Sequence, residues 1–257
     1  EISDSIHTLK WARSRWALNK SLPTGKSLIF TLRGTGEMKD VVVKLYYDIY
    51  DHIPIIRKHL EIFNQGDEPV NLDSFKLEEL AFAEPESPVE EGDPNKYILP
   101  NIHIESDFHR GPGFTEREVN CVAHWVSDKN YTSQTNYALV TPCILEVKNT
   151  IGPDAEISRD EPFASYKVYE MPMDSYDRER KGLFKRRMQL TIAPWTSENP
   201  IFMHLTSTNP DVVKRAVDQC AECGYEMVIL SFGSGLNAED ISEGNIARFK
   251  ELVDYAH

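Results

Sequence analysis

Three short stretches combine residue types and spacings on which chemistry could be built. Cys220 and Cys223 form a C-x-x-C pair, the spacing of a redox dithiol or of half a zinc site. A reactive pair sits at a helix N-terminus, where the dipole lowers the thiol pKa. This pair closes a helix-like run, Cys220 falls on its apolar stripe, and neither a second C-x-x-C nor a histidine pair accompanies it. Core packing is its expected role. The second stretch, FGSG (Phe232 to Gly235), follows an apolar run. Glycines there would let a backbone approach a phosphate, but G-S-G is neither the dinucleotide fingerprint nor a P-loop. A strand-to-helix turn is expected, at the end of a parallel strand where α/β barrels place substrate loops. The third, FHRGPGFTEREVN (Phe108 to Asn120), joins Arg110, Glu116, Arg117 and Glu118 to a Gly-Pro-Gly turn. Guanidinium and carboxylate groups suit bidentate hydrogen bonds to a sugar, and a hairpin tip with surface charges is the plainer expectation. The eight histidines are scattered, with His103 and His109 flanking IESDF, and no H-x-x-x-H occurs. The acidic run EPESPVEEGDPNK (Glu84 to Lys96) lacks the ligand spacing of a calcium loop and is expected to be a solvated loop. No metal and no cofactor is expected.

The elements that position these residues are mostly strands. In DVVVKLYYDIY, Val41, Val43, Leu45, Tyr47 and Ile49 alternate with Val42, Lys44, Tyr46 and Asp48, which predicts a strand with the first set buried and the second partly polar. IIRKHLEIF and VNLDSFKLEEL flank the turn cluster NQGDEP, a pattern of long antiparallel strands around a turn. Further strands are predicted over 97–104, 118–126, 136–147, 163–171 and 183–193. SYDRERKGLFKRRM (Ser175 to Met188) is locally basic and reads as a charged turn entering the last of these. Evenly spaced strands with no helical stripe between them predict a β-sandwich.

After PWTSENP (Pro194 to Pro200) the pattern changes. IFMHLTS reads as a short strand. TNPDVVKRAVDQCAECG reads as a helix capped by Thr208 or Asn209, with Pro210 in its first turn and Gly224 at its C-cap. YEMVILSF has the continuous apolar character of a parallel strand, and a last helix carries Ile246, Phe249, Leu252, Val253 and Ala256. The expected fold is therefore mainly β, a large antiparallel sandwich over 1–194 followed by two βα units of a parallel α/β layer over 195–257.

Composition narrows the partners. The chain has 257 residues, 40% of them hydrophobic, and a net charge of −13. An acidic surface disfavours a nucleic-acid backbone or an anionic membrane as main partner and is compatible with a neutral substrate. No apolar run is long enough to span a bilayer, and the first residues lack the pattern of a signal peptide, though one could already have been removed. Four cysteines do not make a disulfide scaffold.

Several stretches in order carry a family resemblance: YYDIYDHIPIIRKHLEIFNQGDEPVNLDSF with its N-x-G-D-E-P-V turn, GPGFTERE, FASYKVYEMPMDSYDRERKGLFKRRM, PWTSENPIFMHL, AVDQCAECGYEMVILSFGSG and FKELVDYAH. Together they resemble the α-galactosidase (melibiase-like) glycoside hydrolases, from the long sandwich strands into the first units of the catalytic (β/α) barrel. The resemblance implies a retaining mechanism with two carboxyl groups, one nucleophile and one acid/base, on later barrel strands beyond residue 257, so no catalytic residue is assigned. It implies a carbohydrate substrate, and its family includes members that form homo-oligomers and members of the bacterial cell envelope, with a periplasmic location implied for a chain whose signal has been removed. The substrate-binding residues it implies are His204, Ser231, Phe232, Ser234 and Trp195. Two stretches depart from the family: Met203-His204-Leu205-Thr206 stands where it carries Asn-Ser-Trp, and Ser231-Phe232-Gly233-Ser234 where it carries Asp-Asp-Gly-Trp. Those acids hold sugar hydroxyls, so the sugar and linkage stay open. The alternative is a non-catalytic carbohydrate-binding or interaction module, with Trp11, Trp16, Trp125 and Trp195 as stacking candidates. A third reading, a small phosphate or nucleotide binder using Gly233 and Gly235, leaves the β region unexplained.

Overall fold

The first strands are β1 (Ile2–Ser3), β2 (Gly25–Arg33), β3 (Val41–Tyr50), β4 (Ile56–Asn64), β5 (Val70–Leu72), β6 (Lys76–Ala81) and β7 (Ile102–Ser106). They are followed by β8 (Ala123–Ser127), β9 (Pro142–Lys148), β10 (Ala155–Ile157), β11 (Phe163–Ala164) and β12 (Val168–Pro172), then helix α1 (Arg178–Ile192). The computed structural model describes residues 1–6, 21–86, 88–108, 121–194 and 200–257. Residues 1–6 and 22–192 belong to one compact unit, and residues 193–194 and 200–257 to a second. In the larger unit, one sheet runs β1-β2-β3-β4-β12-β7, with β11 also on β4, and a second runs β6-β9-β8. All of these pairings are antiparallel, so the unit is a mainly β fold, as the alternating patterns predict.

Each face of the large sheet has its own core. On one face Leu77, Ile104, Val122, Leu145, Val147 and Val168 pack between the two sheets, the sandwich contact expected for facing antiparallel layers. On the other, Tyr50, Ile55 and Met171 pack with Met188, and Phe184 and Ile192 lie against them. Each buried side chain of this size contributes about 1.5–3 kcal/mol.

Three sequence expectations are corrected here. The segment 183–193 is not a strand but lies mostly within α1. Phe184, Met188 and Ile192, four residues apart, line one helical face onto the core. The side chain of Asp177 accepts from the Arg180 amide at 2.8 Å and caps the first turn. The charged residues of 175–188 are therefore the wet side of a helix, while Leu183, 64% exposed, blurs its stripe. Second, β4 and β5 do not pair across NQGDEP. β5 pairs β10 and β4 pairs β3, β11 and β12. The Asn64 amide turns the chain out of the sheet, donating to the carbonyls of Glu68 at 2.7 Å and Ile157 at 3.1 Å. Third, the fully buried residues of β3 are Val42, Asp48 and Tyr50, while Ile49 is 56% exposed. Asp48 can face inward because Arg57 and Ser27 meet it there.

Other boundaries shift. The stretch 97–104 becomes strand only at Ile102, 136–147 only at Pro142, and 163–171 divides into β11 and β12. Asn136 is fully buried instead of standing in a strand. Its amide nitrogen lies 2.7–2.9 Å from the carbonyls of Pro88 and Glu91 and the hydroxyl of Tyr97, so one side chain pins the acidic loop.

The smaller unit contains β13 (Phe202–Leu205), α2 (Pro210–Cys223), β14 (Met227–Leu230) and α3 (Glu243–Ala256). β13 and β14 are parallel, with Phe202 opposite Met227 and Leu205 opposite Leu230. α2 begins and ends as its sequence predicts. The Asn209 side chain accepts from the amides of Asp211 and Val212, and Gly224 closes the helix in the left-handed conformation. Val213, Ala216 and Cys220 are buried. Asn209→Ala is expected to lower the stability of this unit by about 1 kcal/mol, read as an earlier urea midpoint for helix loss. An unchanged midpoint would mean that the cap is dispensable. Among the described residues, no helix is long and apolar enough to cross a membrane.

Candidate functional site

The resemblance directs attention to the C-terminal ends of β13 and β14. His204 stands one position before the end of β13, and Ser231 directly follows β14. The Ser231 amide donates to the Leu205 carbonyl at 2.9 Å, which extends the ladder one step past the strands. Register puts Phe202, His204, Met227 and Ile229 on one face of the pair. The Phe202 and His204 rings stack at 5.2 Å, and Phe202 and Met227 are exposed.

The turn after β14 is shaped by its glycines and serines. Gly233 and Gly235 have φ of 80° and 83°, a region where a Cβ would be strained. Ser234 is buried; its amide donates to the Ser231 carbonyl, and its hydroxyl accepts from the Leu236 amide at 3.3 Å. Phe232 is thrown outward and is 86% exposed. The loop then runs through side-chain-to-backbone turns at Asn237, Asp240 and Ser242, and the Asn245 amide donates to the Asp240 carbonyl at 2.8 Å.

This edge therefore presents an imidazole, a serine and an exposed phenyl ring, with Ser234 holding the turn from below. Such a set can hydrogen-bond and stack on a polar ligand. Glycoside cleavage requires two carboxyl groups at a set separation, and His204, Ser231, Phe232 and Ser234 supply none. Trp195 lies outside the described residues, as do Trp11, Trp16, His109 and the charged turn from Arg110 to Glu118. Trp125 packs at the inter-sheet core, its ring 5.5 Å from that of Phe82. Cys220 is buried, which pushes its thiol pKa up, and Cys223 is exposed. Among the described residues, no group of three or more His, Cys, Asp or Glu side chains is arranged to hold a metal ion.

Two buried polar clusters in the sandwich have no signature in the sequence, because cross-strand register makes one and the facing of the two sheets makes the other. In one, Arg57 Nε donates to Asp48 Oδ2 at 2.6 Å, Ser27 donates to the other carboxylate oxygen, and the guanidinium lies over the Tyr50 ring. In the other, Lys58 Nζ meets Glu78 Oε2 at 2.8 Å between the sheets, beside buried Glu170. Burial, and then the neighbouring Glu78 charge, pushes the Glu170 carboxyl up to about 7.

Comparison with known proteins gives structural neighbours alone. No family profile matches the chain, and no curated protein does. Similar solved structures are GH36 α-galactosidases. A variant of AgaA from Geobacillus stearothermophilus in complex with raffinose has TM-score 0.46 and 14% identity over 98% of this chain and 41% of its own. The α-galactosidase from Lactobacillus brevis has TM-score 0.46 and 12% identity over 99% and 40%. The galactosidase domain of the α-galactosidase-sucrose kinase AgaSK has TM-score 0.44 and 14% identity over 100% and 41%. The chain thus spans about two fifths of the length of these neighbours.

Proposed function

We propose that this chain is the N-terminal part of a glycoside hydrolase acting on α-linked sugars, with a sandwich over 1–194, the start of a catalytic (β/α) barrel over 195–257, and its catalytic carboxyl pair beyond residue 257. The observation that carries this reading is the order of architectures: an antiparallel sandwich, then parallel strands alternating with helices. That order is the one implied by the sequence resemblance to α-galactosidases. In this reading His204, Ser231 and Phe232 line one edge of the sugar site with Ser234 beneath it, and Trp195 is a further sugar-binding residue. Polar groups at the C-terminal ends of barrel strands are where substrates bind in such folds.

The experiment is peptide mapping and intact mass of the protein from its source, followed by a screen of aryl α-glycosides with that whole product. A longer product that cleaves at least one of them with retention of configuration is expected. A product ending near residue 257, or a longer one that cleaves none, overturns the proposal. With an active product, Phe232→Ala is expected to raise KM roughly tenfold, the loss of about 1.4 kcal/mol of stacking. An unchanged KM would remove Phe232 from the site.

One observation favours a second reading, a non-catalytic carbohydrate-binding module: Ser231 and Phe232 stand just after β14 where the resembling family carries two acids. It predicts saccharide binding without hydrolysis.

A further inference from the structure

The face of the large sheet that buries Asp48 changes character toward the other end of the same strands. Beyond Tyr46 only Val42 of β3 stays buried on this face, and the surface opens into a groove of about 630 Å³. Register builds its floor. Arg33, Val42 and Phe63 are direct cross-strand neighbours on β2, β3 and β4, and the next row is Thr31, Lys44 and Glu61. Asn64, Gln65 and Arg159 form the wall.

The charge of this lining is opposite to that of the chain. In a protein of net charge −13, the groove is lined by Arg33, Lys44 and Arg159, with Glu61 opposite Lys44 at its margin. Arg159 is aimed by its own contacts, with Nη2 donating to the Gln65 carbonyl at 2.7 Å and pairing with exposed Asp67 at 2.9 Å. Among the described residues, no carboxylate forms an ion pair with Arg33 or Lys44. The nearest acid across the strands, Glu61, accepts the Tyr46 hydroxyl at 2.7 Å. Lys44 instead lies over the Phe63 ring, 5.3 Å from its centre.

We propose that this groove binds an acidic saccharide, one whose sugar rings carry carboxylate or sulfate groups. Arg33 and Lys44 are diagonal neighbours, about 7–8 Å apart at the backbone, so a ligand carrying several anionic groups along its length matches them better than one small anion. The half-buried Phe63 ring and the Val42 side chain give an apolar floor on which a sugar ring can lie. The guanidinium groups supply the bidentate donors that carboxylate and sulfate accept. The anionic character rests on the groove alone, and the choice of a saccharide rests on the glycoside-hydrolase reading above.

The test is calorimetric titration of this chain with an oligogalacturonate, a sulfated oligosaccharide of similar length, a neutral oligogalactoside, a short poly-glutamate peptide and inorganic sulfate. The variant is Arg33→Glu/Lys44→Glu, two side chains outside the cores, checked for unchanged unfolding. Binding of one or both acidic saccharides is expected, weakening with added salt and at least roughly tenfold weaker in the variant, the loss of one charge-assisted contact. The two acidic arms separate carboxylate from sulfate as the recognised group. Equal binding of the neutral oligosaccharide, of inorganic sulfate or of the peptide overturns the proposal, as does binding of no ligand or binding that the variant leaves unchanged. The outcome is independent of the aryl glycoside screen. A groove that binds on a protein that hydrolyses nothing would fail the functional reading alone, and an active enzyme whose groove binds nothing would fail this one alone.

Discussion

Asp48→Ala is expected to destabilise the sandwich by about 3–5 kcal/mol, because it strands a buried guanidinium without its counter-charge. The side chains of Asp48 and Arg57 are 2% and 5% exposed. Burial alone would lower the Arg57 pKa, but the Tyr50 ring and the Asp48 carboxylate hold it above its ordinary value. Removing Asp48 leaves that buried positive charge against the Tyr50 ring without the carboxylate. The double variant Asp48→Leu/Arg57→Met is expected to recover most of the loss, since a buried ion pair replaced by apolar groups of similar volume is near neutral or stabilising. Urea unfolding of the wild type, Asp48→Leu, Arg57→Met and the double variant closes the cycle. A double loss equal to the sum of the two single losses would show that the two groups do not act as a pair.

Glu170→Gln is expected to stabilise the protein above neutral pH and to change little in acid. Glu170 lies between the sheets with Glu78 and Lys58, and Lys58 also approaches the Tyr47 ring at 4.9 Å. One carboxyl oxygen of Glu170, Oε1, has no hydrogen-bond partner. One lysine faces two acids, so the cluster is satisfied when Glu170 keeps its proton. The folded pKa, pushed up to about 7, stands above the ordinary 4.5. Below the lower value both folded and unfolded chains hold the proton, and Glu170 contributes no pH dependence. As pH rises from 4.5 to 7 the unfolded chain loses the proton first, so stability falls across that window. Above it the full cost is present, on the order of 3 kcal/mol. Glutamine keeps the donor and never ionises. Urea unfolding from about pH 4 to pH 8.5 should give variant and wild-type curves that meet in acid and diverge with rising pH. A constant offset at every pH would sink the assignment to Glu170.

Several features of this protein were already determined by local sequence. The second unit is the clearest case. Asn209, Pro210 and Gly224 mark the ends of α2, Val213, Ala216 and Cys220 mark its buried face, and the parallel strands flank it. Caps and amphipathic stripes act within a few residues, so they are legible without a fold. The alternating runs of the first 170 residues likewise announce antiparallel strands. Of the candidate site, the strand-end position of His204 and the turn at Ser231–Ser234 were legible, because βα turns are local. The outward throw of Phe232 and the internal use of the Ser234 hydroxyl were not.

What tertiary structure alone decided is where two stretches of similar character meet. Leu183 to Ile192 reads as a strand in sequence, and the core instead selects the helical spacing of Phe184, Met188 and Ile192. The strand β3 has apolar residues on both sides, and its most deeply buried positions include a carboxylate, because Arg57 on the next strand and Ser27 meet its charge and its hydrogen bonds there. Lys58, Glu78 and Glu170, like Arg33, Lys44 and Arg159, lie apart in sequence and become clusters only through strand register, the stacking of the two sheets and the path of a loop. A side-chain period of two fixes which residues of one strand share a face, but not which strand will lie beside it. Pairing, and with it every buried charge and the basic groove, belongs to the three-dimensional arrangement.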